Sequence, residues 1–293
     1  MNPDHEHLVA HALHERVLVL RPLSSGTTSD VCLAELHDGR RLVAKFAQPG
    51  LLQEEVEGLD ALRSTNTVRV PEVHSLHIEH AGAVLLMEEL PVGGDADWAD
   101  FGRTLAALHQ APAGGRYGFT CDNHLGKTLQ VNRWMDDWPR FNREQRHGPL
   151  VEGLVAGGGL AGPDLELVRR TLASFEAVLP RRPTPSLLHG DLWSGNALAL
   201  VGGGVGVFDP VPSIGDALAD IAMMQLFGGF PQDCFQGYQE GGGEALEPLR
   251  LAVYRLHHLL NHQLIFGEGY RSGVLKECRL ILGEGGRGGL ARC

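Results

Sequence analysis

The sequence predicts an α+β fold of two unequal lobes: an antiparallel sheet with one main helix over residues 1–90, and a mainly α lobe over residues 91–293. Two observations predict it. Short β-type runs with a tight turn fill the first ninety residues, and beyond Gly93-Gly94 the apolar residues switch to helical spacing.

In the first lobe, Val17 to Leu23 and Val31 to Leu36 alternate or run apolar, Asp38-Gly39 is a hairpin turn signal, and Arg41 to Phe46 returns as the next strand. Lys45 rides on that returning strand. From Leu51 to Leu62, Leu51, Leu52, Val56, Leu59 and Leu62 fall at helical spacings, with Glu54, Glu55 and Glu57 on the charged side. Pro71 ends the following turn, Ala83 to Met87 is a compact apolar strand, and Glu88-Glu89-Leu90-Pro91 makes the hinge between the lobes. In the second lobe, Phe101, Leu105 and Leu108 mark one helix, and Leu165, Val168, Leu172 and Phe175 another. Leu251 to Phe266 and Val274 to Leu282 add two more. Brief strands at Ser186 to Leu188, Ala197 to Leu200 and Val205 to Phe208 bracket the polar motifs of this lobe.

Composition narrows the function classes. With 43% hydrophobic residues in 293, the chain can bury a core, and its net charge of -11 lacks the basic surface that nucleic acid or an anionic membrane requires. Five dispersed cysteines form no C-x-x-C pair, the N-terminus has no basic-then-apolar leader, and no run is long enough to span a bilayer. A reduced, soluble, cytoplasmic protein is expected. His257, His258 and His262 share a helix-like run but fall short of the three or four converging ligands of a zinc site.

The chemistry concentrates in Leu187-Leu188-His189-Gly190-Asp191-Leu192-Trp193-Ser194-Gly195-Asn196. An aspartate followed five positions later by an asparagine is the spacing of a kinase catalytic loop. Asp191 then reaches the attacking hydroxyl, while Asn196 binds a magnesium ion bridging the nucleotide phosphates. Asp209 ends the strand at 205–208, where such a fold carries its second metal-binding carboxylate. Pro210-Val211 follow it, so the phenylalanine switch of protein kinases is absent. Upstream, Leu42-Val43-Ala44-Lys45 is similar to the strand whose lysine holds the α- and β-phosphates and pairs with a helix glutamate. Glu55 is the preferred partner among Glu54, Glu55 and Glu57. The turn from Ser24 to Ser29 stands where a phosphate-covering loop belongs, with Ser25, Gly26 and Thr27 as its contacts through backbone amides and hydroxyls. Because the net charge repels ATP, Lys45, backbone amides and Mg2+ must offset that field locally. Together these residues predict a protein-kinase-like two-lobed fold.

The chain resembles the fructosamine-kinase, or ketosamine-3-kinase, family, related to aminoglycoside and choline kinases, along nearly its whole length. The resemblance rests on the His189 to Asn196 run, on Phe208-Asp209-Pro210 with Gly215-Asp216, and on Leu226-Phe227-Gly228-Gly229-Phe230. Gln130 to Trp138, His258 to His262, and Phe266 to Tyr270 extend it. It implies transfer of the ATP γ-phosphate to the 3-hydroxyl of a small-molecule or protein-bound ketosamine. The product then decomposes and releases the amine, which is deglycation repair. It also implies Asp191 as proton acceptor, Asn196 and Asp209 as magnesium ligands, Lys45 with Glu55 positioning ATP, and the backbone of Met87, Glu88, Glu89 and Leu90 holding adenine. Trp193, between Asp191 and Asn196, is expected to pack on the sugar. Asp216 is a candidate for sugar hydroxyls, Asp220 for a structural acceptor, and Trp134, Trp138, His258 and His262 for core or cleft wall. Two departures stand out. The phosphate loop has one glycine, and Ala217-Leu218 replaces a charged pair, which leaves the acceptor subtype open. The rival readings are an aminoglycoside or other small-alcohol phosphotransferase and a nucleotide-binding pseudokinase. Monomer and homodimer are both compatible with the sequence.

Overall fold

In the computed structural model, which describes residues 3–25, 28–80 and 82–284, the first lobe is a five-stranded antiparallel sheet. Its strands are β1 (Val17–Ser25), β2 (Asp30–Leu36), β3 (Arg41–Phe46), β4 (Val73–Glu79) and β5 (Gly82–Glu88), in the order β1-β2-β3-β5-β4. The expected Asp38-Gly39 turn joins β2 to β3, with Gly39 at φ 87°.

The apolar run in β5 has a two-sided explanation. Ala83, Leu85 and Met87 belong to the main core on the side of α2 (Pro49–Ser64), whereas Val84 and Leu86 belong to a second core with Ala44 and Phe46. Strand residues alternate faces, so a strand covered on both sides reads as continuous apolar sequence. The second cover is α1 (Pro3–Leu13), which inserts Leu8 and Val9. One main helix was expected in this lobe; the described residues hold two. The same alternation places Lys45 with Val43 on the α2 face of β3, because Leu42, Ala44 and Phe46 point to the other core.

The second lobe begins with α3 (Trp98–Gln110) and the hairpin β6 (Asn123–Leu125) and β7 (Thr128–Gln130). Then α4 (Trp138–Phe141) runs through a π-helical turn at Asn142–His147 into α5 (Gly148–Ala156), followed by α6 (Gly162–Ala173) and α7 (Phe175–Val178). Strands β8 (Pro185–Leu188), β9 (Ala197–Ala199), β10 (Val205–Val207) and β11 (Ser213–Asp216) come next. The chain closes on α8 (Leu218–Leu226), α9 (Gln232–Glu240), α10 (Pro248–Phe266) and α11 (Arg271–Ile281).

Two short ladders shape the catalytic loop: β8 pairs with β11, and β9 with β10, both antiparallel. In the second ladder Val207 faces Ala197, and the Phe208 amide continues it by donating to the Asn196 carbonyl at 3.2 Å. That register brings Asp209 beside the turn carrying Asn196. The strand expected to reach Phe208 stops at Val207, because Asp209 then turns into the left-handed region at φ 59°.

Candidate active site

Lys45 is buried, at 8% exposure, and its Nζ lies 2.6 Å from Glu55 Oε2. The same ammonium also donates to Asp209 Oδ1 across the lobe boundary. Burial alone acts to lower the lysine, but Glu55 and then Asp209 outweigh it and hold the ammonium raised. Burial likewise pushes Glu55 up to about 7, against the pull of Lys45. One buried cation thus faces two carboxylates.

Glu55 is buried because it lies in the apolar stripe of α2, three residues after Leu52 and four before Leu59. Its neighbours on the helix are not a solvated acidic face. Glu54 accepts hydrogen bonds from the His124 amide and Nδ1, each at 3.0 Å, and Glu57 accepts from Cys121 Sγ at 2.7 Å. The three glutamates therefore divide their work: one holds the lysine, and two clasp the β6–β7 region of the second lobe. Gly58 completes the docking, since a Cβ there would stand 2.8 Å from Pro210 Cγ. Glycine costs roughly 1 kcal/mol relative to alanine inside a helix, and here it lets the Asp209-Pro210 segment approach.

Across the cleft, Asn196 Nδ2 donates to the Asp191 carbonyl at 2.9 Å and to Asp191 Oδ2 at 3.3 Å. Burial, then the nearby Asp209 charge, pushes the Asp191 carboxyl up to about 7. Lys45, Glu55, Asp191 and Asp209 line one cavity of about 160 Å³, with His124 at its wall. The sequence-predicted phosphoryl-transfer residues are therefore brought together.

Behind this loop lies a second polar cluster. Asp220, on α8, accepts from the His189 and Gly190 amides at 2.8 Å each and from His109 Nε2 at 3.2 Å. Burial works to raise Asp220, but His109 and the other donors leave it lowered. His189 donates through Nε2 to the Phe208 carbonyl at 3.0 Å, and its Nδ1 accepts from the Asp191 amide at 3.3 Å, which fixes the tautomer. Gly190 is required here: it sits at φ 84°, and a Cβ would fall 1.9 Å from the Val211 carbonyl oxygen. Asp220 fills the structural role expected of it. His109 and His124 carried no sequence motif, and only the fold reveals their work.

Other expected site residues fall in different places. Asp216 does not face the cleft: it is 1% exposed, and its carboxylate accepts from the Leu218 amide, the Arg250 guanidinium and the Tyr254 hydroxyl. Those partners leave the carboxylate committed to the scaffold, so the expectation of a sugar contact is corrected. Trp193 is 41% exposed and its ring lies over Gly195, where a Cβ would come within 2.1 Å of it. Trp138 and His258 are buried, while Trp134 stands 39% exposed. Ser25 ends β1, and Gly26 and Thr27 lie outside the described residues.

At the hinge, the Glu88 side chain accepts from Arg69 and from the Glu72 amide at 3.1 Å, and Glu89 pairs with Arg41 at 2.6 Å. Met87 and Leu90 are buried. Their side chains are thus engaged by protein, and so is part of the backbone: the Glu88 amide donates to the Glu72 carbonyl and the Leu90 carbonyl accepts from the Val92 amide, each at 2.8 Å. The Gly93 amide donates to the Ala199 carbonyl at 2.9 Å and the Val201 amide to Pro91 at 2.7 Å, tying the hinge to the β9–β10 turn.

The donor set fits a magnesium ion. Asn196 spends its amide nitrogen on Asp191, leaving its oxygen, and Asp209 supplies a carboxylate with a 46% exposed side chain. Oxygen donors of this kind suit a hard divalent cation.

A lysine-bearing sheet set over a helical lobe with this pair of ladders defines the kinase-like fold class. A thermostable mutant of an aminoglycoside phosphotransferase, in its apo form, shares the fold with a TM-score of 0.66 over 96% of this chain and 99% of that one, at 16% identity. The chain itself belongs to the fructosamine kinase family, whose profile matches residues 23–283. A probable ketoamine kinase of Synechocystis is 38% identical over 245 residues, covering 78% of each chain. A chloroplastic protein-ribulosamine 3-kinase of Arabidopsis thaliana is 33% identical over 238 residues, 78% of this chain and 71% of that one. Among solved structures, a putative fructosamine-3-kinase from Haemophilus somnus matches with a TM-score of 0.83 at 26% identity, over 94% of this chain and 96% of that one.

Proposed function

We propose that the protein is an ATP- and Mg2+-dependent kinase that phosphorylates the 3-hydroxyl of a ketosamine, a deglycation reaction carried out in the cytoplasm. The observation that carries this reading is the convergence of Lys45, Glu55, Asp191 and Asp209 on one cavity, within a chain of the fructosamine kinase family. The lobe over residues 1–90 covers the nucleotide, and residues 91–293 carry the acceptor and the reacting groups. Among the described residues, no helix is long and apolar enough to cross a membrane.

The chain's own groups divide the chemistry as follows. Lys45, held by Glu55, meets the α- and β-phosphates, and the backbone of 87–90 meets adenine. Asp191 takes the proton from the acceptor hydroxyl as its oxygen bonds to the γ-phosphorus and the bond to the leaving ADP breaks. A carboxyl raised to about 7 is basic enough for that step near neutral pH. Asn196 and Asp209 would hold a magnesium ion, which would supply charge neutralisation to the nucleotide phosphates. The Trp193 ring offers its face to the sugar.

Purified protein supplied with ATP, Mg2+ and separate fructosamine, ribulosamine and aminoglycoside acceptors tests the reading. Phosphate is expected on a ketosamine; phosphorylation of the antibiotic alone overturns it. The aminoglycoside phosphotransferase likeness supports the fold alone, at 16% identity.

A further inference from the structure

Helix α1 carries His7 and His11 four residues apart, which places both on one helical face. Strand β4 carries His77 and Glu79 two residues apart, which places both on one sheet face, opposite the face of Leu76 that joins the α2-side core. The two faces meet. His11 Nδ1 contacts Glu79 Oε1, His77 Nε2 lies 2.6 Å from the same oxygen, and His7 Nε2 lies 4.0 Å from Oε2. The ligand atoms of His7, His11 and Glu79 all fall within 4.8 Å of one another. The rings of His11 and His77 stand edge to face at 5.5 Å, so three imidazoles surround one carboxylate.

We propose that His7, His11 and Glu79, with His77 beside them on the Glu79 carboxylate, form a binding site for a divalent transition-metal ion of the zinc type, stapling α1 to the edge strand β4. Two imidazole nitrogens and one carboxylate oxygen, converging within 4.8 Å, match the atom types of a zinc centre, and three protein ligands leave a fourth position for water or for His77. The same set disfavours magnesium, which keeps to oxygen donors, and this separates the site from the nucleotide's ion. The side chains of His7 and His11 are 68% and 59% exposed, so an ion from solution reaches them without unfolding. The site also has a structural occasion: α1 covers its face of the sheet through Leu8 and Val9, and an ion would anchor the same helix from its polar side.

The test uses tag-free, full-length protein stripped with EDTA. Zn2+ binding is followed by calorimetry and Co2+ binding by visible absorption, for the wild type, His11→Ala and Glu79→Gln. The wild type is expected to bind one more Zn2+ than either variant, to show a Co2+ spectrum that both variants lose, and to gain in Tm with Zn2+ where the variants do not. Turnover with Mg-ATP and no zinc, expected to be unchanged, confirms that the variants fold. Equal stoichiometry and spectra in all three proteins overturn the site, including the case where zinc binds only at other histidines. Because the readout is metal binding, its failure is distinct from failure of the acceptor assay.

Discussion

Asp191, half-buried, and Asp220, fully buried, are two aspartates on opposite sides of one loop, and their surroundings drive them apart. Asp220 receives two backbone amides and a histidine and is lowered, while Asp191 receives one side-chain amide at 3.3 Å and is pushed up to about 7. Burial raises both; the donors and histidines around Asp220 and the Asp209 charge beside Asp191 decide the outcome. A satisfied carboxylate fixes the loop, and an under-satisfied one keeps the appetite for a proton that a general base needs.

The sharpest way to break this contrast is Asp191→Asn, which keeps the shape and removes the base. Turnover should drop by about 10²–10⁴-fold with nucleotide affinity retained, measured by steady-state assay and by calorimetry with a non-hydrolysable ATP analogue. Unchanged turnover removes Asp191 from its role. Asp220→Ala should instead act on the fold: it strands the His189 and Gly190 amides, at about 1–3 kcal/mol each, and urea melts should register the loss. A variant as stable as wild type would show that the donors at Asp220 are not what holds the loop. Asp209→Ala lies between the two cases. It should shift the midpoint of a magnesium titration of nucleotide binding by about tenfold, or 1.4 kcal/mol, and an unaltered titration counts against Asp209 as a ligand.

The smallest effect is in the pH dependence of nucleotide-free stability. A carboxyl raised from 3.8 to about 7 stays protonated in the native state after the unfolded chain has released its proton. Its contribution to stability therefore falls as pH rises from about 4 to about 7. Glu55, raised from 4.5 to about 7, adds to that fall. Asp220, being lowered, contributes stability that is present above 3.8 and lost as pH falls below it. Buried His147, His189, His257 and His258 are held low by burial and add a rise with pH common to both proteins, so the test is the difference: from pH 5 to about 7.5 the denaturant midpoint of Asp191→Asn should gain on that of the wild type. Identical slopes in the two proteins would mean that Asp191 is not the group being titrated.

What the sequence displayed and what it hid follow from distance along the chain. Asp191 and Asn196 are five residues apart, and Lys45 sits in a recognisable strand, so their placement at one site is local and legible. Glu55 was preferred over Glu54 and Glu57 while all three were set on the charged side of the helix; the structure places it instead in the buried stripe between Leu52 and Leu59. Asp216 misled for the opposite reason. Its carboxylate is consumed by Arg250 and Tyr254, 34 and 38 residues away, and nothing near Gly215-Asp216 announces them. Helix α1 went unseen because its polar face is mostly histidine and only a few apolar side chains dock it. The unbroken apolar run in β5 was its indirect trace, since a strand buried on both faces needs a second cover.

The tie between hinge and hairpin sets a dimension. The hairpin of β9 and β10 touches the hinge at its tip, through Gly93 with Ala199 and Val201 with Pro91, and its other end leads to Asn196 and Asp209. Three residues of paired strand thus serve as a ruler, with the seat proposed for the base at one mark and the seat for the phosphates at the other. Lengthening or slipping that hairpin would change the gauge of the cleft without touching a single reacting group.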